Sequence, residues 1–480
     1  MYSRTSARVK LSSGLTDPFI SELGIKQGDC LSPVLFNIFI NDISEIFDNT
    51  CDAITLGDLK FNHLLFADDL VLFSETSSGL QTCLDKLNDY TNKWILDINV
   101  DKTKTVIFQR YGKQPMHTFK MGKFNIEQVK TYTYLGIQFN SSGCFTSVEN
   151  ELKAKAIKAS FKLQTTLNSF TNQNYEIHLK LFDSLIRPIA TYGCEVWYPT
   201  RYKKIFENAD NSLKNIDKIP CELLHNAFCK RLLGVYKSCN NTLSKVEIGR
   251  LPISFFITVQ VIKYWNHILN KPRDSLLRQS YISEYNNSSD WVLFVKNILH
   301  KCGFSSNWDT QSPLDKKSLF IFKRELRHTY VNLYSMVKKP DHLKHDVERI
   351  GENQACDLKA AKYLTLNMPL QYKKTLTRIR LQSNRLGIIR GRYTRPITPV
   401  QDRLCPSCSV LDDEAHLILH CRNTAEIRDK YSSTLSSTFT DYRDKTDEQK
   451  LNLLLYPRST ENAILCGKYL KLLSEERNII

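Results

Sequence analysis

Residues 63–73 place two adjacent carboxylates inside an otherwise apolar, strand-like run. Residues 63–66 precede Ala67, Asp68 and Asp69, and a second apolar run follows at 70–73. Short runs rich in Leu, Val and Phe are typical of buried strands, so the pattern predicts a hairpin with the carboxylates at its turn. Burial of such a pair costs free energy unless cations or donors neutralise it. An ordinary hairpin with an Asp-Asp turn is the alternative interpretation.

An amphipathic helix is predicted directly after a polar, glycine-containing loop at residues 24–33. Apolar residues recur at three- and four-residue spacing from Val34 to Phe47, with Ser32 placed as the cap and Pro33 at the first helical position. The N-terminus of this helix would suit a phosphate or the polar edge of a nucleotide. A plain join between a loop and a core helix is the other interpretation.

The next segments predict an α+β layer. A helix with an apolar stripe is expected from about Gly79 to Leu96, followed by a loop at 97–104 and a strand at 105–108. Residues 132–139 alternate like one strand and lead to a turn at 141–143. This order predicts helices on one face of an antiparallel sheet.

The chain beyond residue 144 is predicted to be largely helical. Amphipathic runs lie near 147–170, 175–190, 220–234, 253–271, 288–301 and 316–338. The tryptophans in this part are expected to pack in the core; they are Trp197, Trp265, Trp291 and Trp308.

Composition adds a basic charge and an intracellular setting. Lys and Arg number 66 against 50 Asp and Glu, for a formal charge of +16, which favours a polyanionic partner such as nucleic acid. A merely basic soluble protein is the alternative. No signal peptide and no run of roughly 18 apolar residues is recognisable, so we expect no membrane association and a nuclear or cytoplasmic location. The 14 cysteines are expected to be reduced thiols.

A long basic run precedes the C-terminal part of the chain. Residues 358–401 contain ten Lys or Arg and no Asp or Glu, with Tyr372 and Tyr393 interleaved. A run this long without acids predicts contact with a polyanion, although a solvated helix face is the usual role of charged runs. The predicted nucleic-acid-binding residues are Lys373, Lys374, Arg378, Arg380, Arg385, Arg390, Arg392 and Arg395.

A cluster of potential zinc ligands follows that run. Cys405, Cys408, His416 and Cys421 form a C-x₂-C-x₇-H-x₄-C arrangement. Three thiolates and one imidazole at this spacing can surround a tetrahedral Zn²⁺. His420 leaves the fourth ligand open, and reduced core thiols are the alternative.

Four short motifs together resemble one family. Gly-Ile-Lys-Gln-Gly-Asp-x-Leu-Ser-Pro begins at Gly24, Phe-Ala-Asp-Asp at Phe66, Asn-x-x-Lys-Thr at Asn99 and Tyr-Leu-Gly at Tyr134. In this order and spacing they resemble the palm of reverse transcriptases from LINE-type non-LTR retrotransposons. The stretches at 181–197 and 228–235 resemble the thumb and post-thumb region of the same family, and the family often carries a zinc-knuckle-like element near its C-terminus.

The resemblance implies RNA-directed DNA polymerase chemistry with RNA template, DNA primer or target, and dNTPs. Asp68 would be the principal ligand of two catalytic Mg²⁺ ions, Asp69 would support it, and Lys102 would lie near the triphosphate. The implied template- and substrate-binding residues are Gln27, Gly28, Asp29, Ser32 and Pro33 beneath template and nucleotide, and Tyr134, Leu135 and Gly136 in a hairpin at the primer end.

One catalytic element of the family is not found. Reverse transcriptases carry a further Asp on a strand before the Gln-Gly-Asp loop, and the residues before Gly24 do not supply it. Asp17 lies in a Leu-Thr-Asp-Pro-Phe stretch that the family has in addition, so it is no substitute. We therefore expect a truncated start, an incomplete two-metal site and little or no polymerase activity from this chain alone.

The resulting prediction is an α+β protein with a partial polymerase palm, a largely helical thumb and C-terminal region, and a small zinc-binding element. The expected divisions are 1–143 for the palm, 144–238 for the thumb, 239–355 for a helical region, 356–403 for the basic segment, 404–424 for the zinc element and 425–480 for a helical tail. A non-catalytic RNA- or DNA-binding protein, or a retroelement remnant that retains the fold, is the alternative function.

Overall fold

The structure is a computed structural model. It describes residues 5–21, 24–26, 28–47, 52–57, 59–109, 112–168, 175–203, 205, 209–337 and 358–479. The strands are β1 (Thr5–Ala7), β2 (Lys10–Leu11), β3 (Gly14–Leu15), β4 (Phe19–Ser21), β5 (Ile54–Leu56), β6 (Leu59–Phe61), β7 (His63–Phe66), β8 (Asp69–Leu72), β9 (Lys104–Thr105), β10 (Phe119–Met121), β11 (Phe124–Gln128), β12 (Thr131–Tyr134) and β13 (Ile137–Asn140).

The first helices are α1 (Ser32–Phe39), α2 (Ser77–Trp94), α3 (Thr146–Asn168), α4 (Tyr175–Leu181), α5 (Arg187–Ala190), α6 (Cys194–Tyr202), α7 (Ala209–Ile216), α8 (Pro220–Leu233), α9 (Asn241–Glu247) and α10 (Ile253–Leu269). They are followed by α11 (Leu276–Asn286), α12 (Asp290–Lys301), α13 (Ser305–Asp309), α14 (Lys316–Ser335), α15 (Lys362–Thr365), α16 (Leu370–Arg380), α17 (Gly387–Arg390), α18 (Ala425–Thr438), α19 (Asp447–Leu455) and α20 (Thr460–Glu476). Short 3₁₀ helices span Asn41–Phe47, Val400–Asp402 and Arg422–Thr424, and π-helical turns span Phe182–Ile186 and His416–His420.

The chain divides into two compact units, residues 1–144 with 272–286, and residues 145–271 with 287–480. In the first unit the strands form short ribbons: β1 with β4, β2 with β3, β5 with β6, β7 with β8, β12 with β13, and the three-stranded order β10-β11-β9. Helix α2 and the first 3₁₀ helix pack with β10 and β11 around one hydrophobic core. The α+β class is confirmed, with small separate sheets among the described residues.

Helix α2 shows why the apolar spacing was a reliable signal. Its face buries Cys83, Leu84 and Leu87 in the core of the first unit. Thr76 is the N-cap and accepts a hydrogen bond from the N–H of Gly79 at 3.0 Å. The predicted helix is therefore confirmed, with its start moved by a few residues.

The start of α1 corrects one prediction. Ser32 is the first helical residue, Leu31 precedes it as the cap, and Pro33 lies within the first turn. The Ser32 hydroxyl donates to the carbonyl of Lys26 at 2.6 Å, so it does not cap the helix. The predicted long helix also ends early at Phe39 and gives way to a 3₁₀ helix.

The second unit is helical, and each of the predicted amphipathic runs carries helix. The run near 175–190 is split into α4, a π-helical turn and α5. Trp197, Trp265 and Trp308 are buried, which confirms core packing for them. The indole N–H of the half-buried Trp291 donates to the carbonyl of Glu195 at 2.7 Å.

One hydrophobic core joins the end of α8 and α9 with α16 and the helices α18, α19 and α20. Fully buried members include Leu376 of α16 and Leu470 of α20, which come from segments that the sequence divided. The predicted divisions within residues 145–480 stay a prediction. Among the described residues, no helix combines the length and apolar character needed to cross a membrane.

Most cysteines of the described residues carry free thiols, as expected for a reduced protein. Cys83 is the exception, because it is disulfide-bonded. The general expectation of reduced thiols is therefore wrong at this position.

Candidate functional site

The carboxylate hairpin is formed by β7 and β8, with Phe66 opposite Asp69. Ala67 occupies the turn with φ of 53°, a left-handed conformation that strains an L-residue, and it leads directly into Asp68. Both carboxylates are exposed, and Phe66 is 60% exposed. The predicted burial of the flanks holds only in part: residues 64–66 are exposed, whereas residues 70–73 are half-buried, and Leu70 and Leu72 pack against the core of the first unit.

The second hairpin, formed by β12 and β13, lies close to this turn. Leu135 and Gly136, with φ of 46° and 80°, connect Tyr134 to Ile137. The hairpin implied by the family resemblance is thus present, whereas the single strand predicted at 132–139 is wrong. A two-residue turn preserves the alternation of side chains, so the sequence pattern of such a hairpin resembles one strand.

The charge of Asp69 in the first hairpin acts on Tyr134 in the second. The pKa of the Tyr134 hydroxyl is raised, first by burial and second by the negative charge of Asp69. Such an effect requires the phenol to lie near the carboxylate. Asp69 is therefore close enough to Tyr134 for its charge to act on the phenol.

The Lys102 loop has a defined shape. The backbone N–H of Lys102 donates to the side-chain oxygen of Asn99 at 3.0 Å, and the Thr103 hydroxyl donates to the Asn99 carbonyl at 2.9 Å. The hydroxyl of Tyr132 on β12 donates to the Lys102 carbonyl at 3.3 Å. The Lys102 side chain is exposed. Asn99 and Tyr132 therefore position this loop, although sequence reasoning gave neither of them a role; the motif spacing was the signal for Asn99.

The loop before α1 contains the other implied substrate-binding residues. Gly28 has φ of 88°, a conformation that favours glycine. The Asp29 carboxylate accepts a hydrogen bond from the N–H of Leu31 at 3.0 Å and shapes the turn into the helix. Gln27 lies outside the described residues. Ser32 and Pro33 occupy the first turn of α1.

Asp68 and Asp69 fit a divalent-ion site only in part. Carboxylate oxygens are the hard ligands that Mg²⁺ prefers. In the part of the chain that the structure describes, no third acidic, His or Cys side chain joins them in a cluster able to share an ion. Among the described residues, this turn thus offers two adjacent carboxylates to a divalent ion.

The predicted zinc ligands converge in the second unit. The Sγ atoms of Cys405, Cys408 and Cys421 and a ring nitrogen of His416 all lie within 4.8 Å of one another. The Nε2 atom of His416 is buried and accepts no hydrogen bond from any described group. His420 is exposed instead, and its Nε2 lies 2.6 Å from the Asp447 carboxylate. The geometry therefore selects His416 as the fourth member of the cluster.

Two tight backbone turns build this cluster. The N–H of Ser409, with φ of 55°, donates to the Cys405 carbonyl at 2.9 Å and folds the two cysteines toward each other. The N–H of Cys421 closes the π-helical turn on the His416 carbonyl at 2.8 Å. That wider turn explains how two residues five positions apart point to one centre.

The pKa shifts of Cys408 and His416 suit a metal ligand set, whereas the shift of Cys405 disfavours its thiolate. The N–H of Arg422 donates to Cys408 Sγ at 3.3 Å and lowers the pKa of that thiol. Burial lowers the pKa of His416, which favours the neutral imidazole, and raises the pKa of Cys405. Three thiols and a neutral imidazole with an unpartnered nitrogen fit a structural Zn²⁺ site.

The basic run divides into buried and exposed residues. Arg380 is 1% exposed, and its Nε lies 2.8 Å from Glu247 Oε1. The prediction of nucleic-acid contact by Arg380 is therefore wrong, because its charge is neutralised inside the core. Partly buried members include Lys373, whose Nζ donates to the Leu364 carbonyl, and Arg378, whose Nε donates to the Gly234 carbonyl.

The other members remain available at the surface. Lys374 is half-buried against Gly234. Exposed side chains of the run are those of Arg385, Arg390, Arg392, Tyr393 and Arg395. We call residues 385–395 the arginine loop.

Comparison with known proteins finds a family match within the first unit. Residues 3–139 match the family model described as reverse transcriptase (RNA-dependent DNA polymerase). Over this range the chain resembles the reverse transcriptase domain of non-LTR retrotransposons. The hairpins at Asp68 and Tyr134 and the Lys102 loop all lie inside the matched range.

Three of the relatives come from mobile elements of insects. The Pol polyprotein of the type-2 retrotransposable element R2DM of Drosophila melanogaster is 37% identical over 27% of this chain and 13% of its own length. The corresponding type-1 R2 polyprotein of Nasonia vitripennis is 33% identical over 25% of this chain and 12% of its length. The RNA-directed DNA polymerase of the mobile element jockey of Drosophila funebris is 24% identical over 37% of this chain and 19% of its length. The chain thus spans less than a fifth of these relatives.

Proposed function

We propose that this chain takes part in RNA-directed DNA synthesis as a segment of a non-LTR retrotransposon reverse transcriptase. The observation that carries the proposal is the match of residues 3–139, which include the exposed Asp68–Asp69 turn and the Tyr134 hairpin, to a reverse transcriptase family model. A metal-binding turn beside a hairpin that holds the primer end is what templated extension requires. The substrates would be an RNA template, a DNA primer or target, and dNTPs.

The residues of the palm would divide the work as follows. Asp68 and Asp69 would hold Mg²⁺, which offsets charge on the attacking 3′-hydroxyl and on the leaving pyrophosphate. Lys102, on the loop shaped by Asn99, would face the triphosphate and offset its charge. Residues 134–136 would position the primer end, because orientation of the reactants supplies much of the rate of such a reaction.

Two carboxylates alone hold a divalent pair weakly, so templated extension by this chain by itself should stay near background. A primer-extension assay with dNTPs and Mg²⁺ measures this directly. Robust extension that Asp68→Ala abolishes would show that the active site of this chain is complete.

The ligand role of Asp68 can be tested without turnover. Binding of Mn²⁺, followed by its electron paramagnetic resonance signal, should weaken in Asp68→Ala and in Asp69→Ala. Asp89→Ala, which removes another exposed carboxylate of the same unit, should leave Mn²⁺ binding unchanged. Equal Mn²⁺ binding by wild type and Asp68→Ala would overturn the proposed role.

A second candidate function is binding of RNA or DNA without catalysis. The observation that favours it is the arginine loop, where Arg390, Arg392 and Arg395 are exposed beside the exposed ring of Tyr393. Guanidinium groups bind phosphates, and an exposed aromatic ring can stack on a base. The Cys/His cluster would hold Zn²⁺ as a structural ion close to this surface in sequence.

Binding and catalysis give separate readouts. Fluorescence anisotropy with a labelled single-stranded RNA reports binding whether or not primers are extended. Tight, salt-sensitive binding without extension would favour the second function, and the absence of binding at low salt would overturn it.

A further inference from the structure

Arg477, at the end of α20, contacts the Cys/His cluster from outside. Its Nη1 donates to Cys421 Sγ at 2.8 Å, and its Nη2 donates to Asp412 Oδ1 at 2.9 Å. The Arg477 side chain is 8% exposed. A guanidinium held in this way cannot reorganise without disturbing both the sulfur and the carboxylate.

The charge of the cluster explains why a cation belongs there. Three thiolates and a neutral imidazole around a divalent ion carry one net negative charge. A buried guanidinium that donates to one of those sulfurs offsets that charge and stabilises the thiolate form. Arg477 therefore favours the ion-binding state of Cys421.

Asp412, which Arg477 contacts, also forms hydrogen bonds with the start of the arginine loop. Its second carboxylate oxygen accepts a hydrogen bond from the N–H of Gly387 at 2.7 Å, and its carbonyl accepts one from the N–H of Ile388 at 3.0 Å. Gly387 is the first residue of α17, which leads into Arg390. The start of the arginine loop is thus bound to the carboxylate that Arg477 holds.

Gly387 packs closely against Asp412 and Arg403. A Cβ added to Gly387 would lie 2.9 Å from Asp412 Cβ and 3.0 Å from the Arg403 carbonyl oxygen. Arg403 also donates through Nη1 to the Ile388 carbonyl at 2.8 Å. A shift of Asp412 must therefore move the arginine loop as well.

We propose that Arg477 is a positioning residue that couples metal binding at the Cys405, Cys408, His416 and Cys421 cluster to nucleic-acid binding by the arginine loop. The inference rests on the proposed nucleic-acid-binding function. The coupling would act through three hydrogen bonds, which join Cys421 to Arg477, Arg477 to Asp412, and Asp412 to Gly387.

The test uses the full chain and two measurements. Zn²⁺ affinity is measured by competition with a chromophoric chelator, and binding to a labelled single-stranded RNA is measured by anisotropy at saturating Zn²⁺. Arg477→Gln should weaken Zn²⁺ binding by about tenfold or more, as loss of an outer partner of a metal ligand does. It should also weaken RNA binding. Arg443→Gln, which removes an exposed arginine of the same unit, should change neither.

Asp412→Ala tests whether RNA binding can be weakened while Zn²⁺ binding is kept. It should keep Zn²⁺ affinity within about threefold, since Arg477 still reaches Cys421, but it should weaken RNA binding and make it insensitive to chelation. Arg477→Lys keeps the charge and should recover part of the Zn²⁺ affinity. In Co²⁺-substituted protein, the sulfur-to-metal charge-transfer band should shift in Arg477→Gln and stay in place in Asp412→Ala.

The outcomes distinguish this inference from the function on which it rests. If zinc-loaded wild type binds no RNA, the nucleic-acid-binding function fails. If wild type binds RNA and Arg477→Gln matches it in both affinities, that function stands and the coupling is overturned. If Arg477→Gln is found unfolded by circular dichroism, an unchanged RNA affinity in folded Asp412→Ala together with an unchanged Zn²⁺ affinity in folded Arg477→Lys would overturn the coupling instead.

Discussion

The guanidinium of Arg380 forms a buried ion pair with Glu247, with 2.8 Å between Nε and Oε1. Its Nη1 also donates to the Leu455 carbonyl at 2.8 Å, and the ring centroid of Tyr456 lies 4.2 Å from its central carbon. Burial lowers the pKa of Arg380, but the combined effects of Glu247, Tyr456 and Tyr363 outweigh burial and raise that pKa well above its usual value. This arginine therefore ties α16 to α9 and to the end of α19.

Replacement of Arg380 should cost stability and not RNA contact. Arg380→Ala leaves the buried carboxylate of Glu247 without its cation, with the Tyr363 hydroxyl still donating to it at 2.8 Å. Breaking such an ion pair costs about 3–5 kcal/mol. Urea denaturation followed by circular dichroism measures the change. The matched control is the exposed Arg385, for which Arg385→Ala should change the free energy of unfolding by about 0.5 kcal/mol or less. Equal stability of the two variants would contradict the structural role of Arg380.

The exposed arginines should show the opposite behaviour. Arg390→Ala and Arg395→Ala should each reduce the slope of log affinity against log salt by about 1, because each removes one phosphate contact. Their unfolding free energies should stay close to wild type. The measurement is an anisotropy titration at several salt concentrations, and an unchanged slope in both variants would exclude the arginine loop from the RNA contact.

The contrast between Arg380 and Arg395 shows where sequence reasoning ends. Both lie in the same acid-free run, and composition predicts the same role for both. The partner of Arg380 is Glu247, which lies 133 positions away in the sequence. The local sequence pattern around Arg380 therefore does not indicate the ion pair. Helices such as α2 were predicted well because the apolar period of a helix is itself local information.

The candidate sites also combine features that the sequence predicts with features that only the fold shows. Ligand spacing along the chain predicted the cluster around Cys405, and motif order predicted the hairpin at Asp68. The choice between His416 and His420 depends on a π-helical turn, which sequence periodicity does not reveal. Arg477 lies 56 positions from Cys421 and belongs to no motif, so only the fold brings it to the sulfur.

Stability should fall in acid because of His225. Its Nε2 accepts a hydrogen bond from Arg250 Nε at 2.9 Å, and its Nδ1 lies 3.3 Å from Glu222 Oε2. Burial lowers the pKa of His225 from 6.5 to about 4. Between these values the unfolded chain binds more protons than the folded one, so the free energy of unfolding decreases as the pH falls from 6.5 to 4. The loss attributable to this histidine is on the order of 3 kcal/mol across that window.

Urea denaturation at a series of pH values checks this dependence. His225→Gln should have a shallower slope between pH 6.5 and 4 than wild type, because the titrating group is gone. His300→Gln, at an exposed site, should keep the wild-type slope. Identical slopes in His225→Gln and wild type would assign the acid sensitivity to other groups.

Removal of the metal should destabilise the core around the Cys/His cluster. Cys405 and Cys421 are buried, and Leu417 of the intervening turn lies in the core that contains α16 and α20. Protein purified without chelators should contain about one zinc per chain by mass spectrometric metal analysis, and the Cys405→Ser, Cys408→Ser variant should contain none. Chelation should lower the melting temperature of wild type. Cys144→Ser, which replaces an exposed thiol outside the cluster, should retain both the metal and the melting temperature. Wild type that is free of zinc and insensitive to chelators would show that the four residues serve only as packed thiols and a buried imidazole.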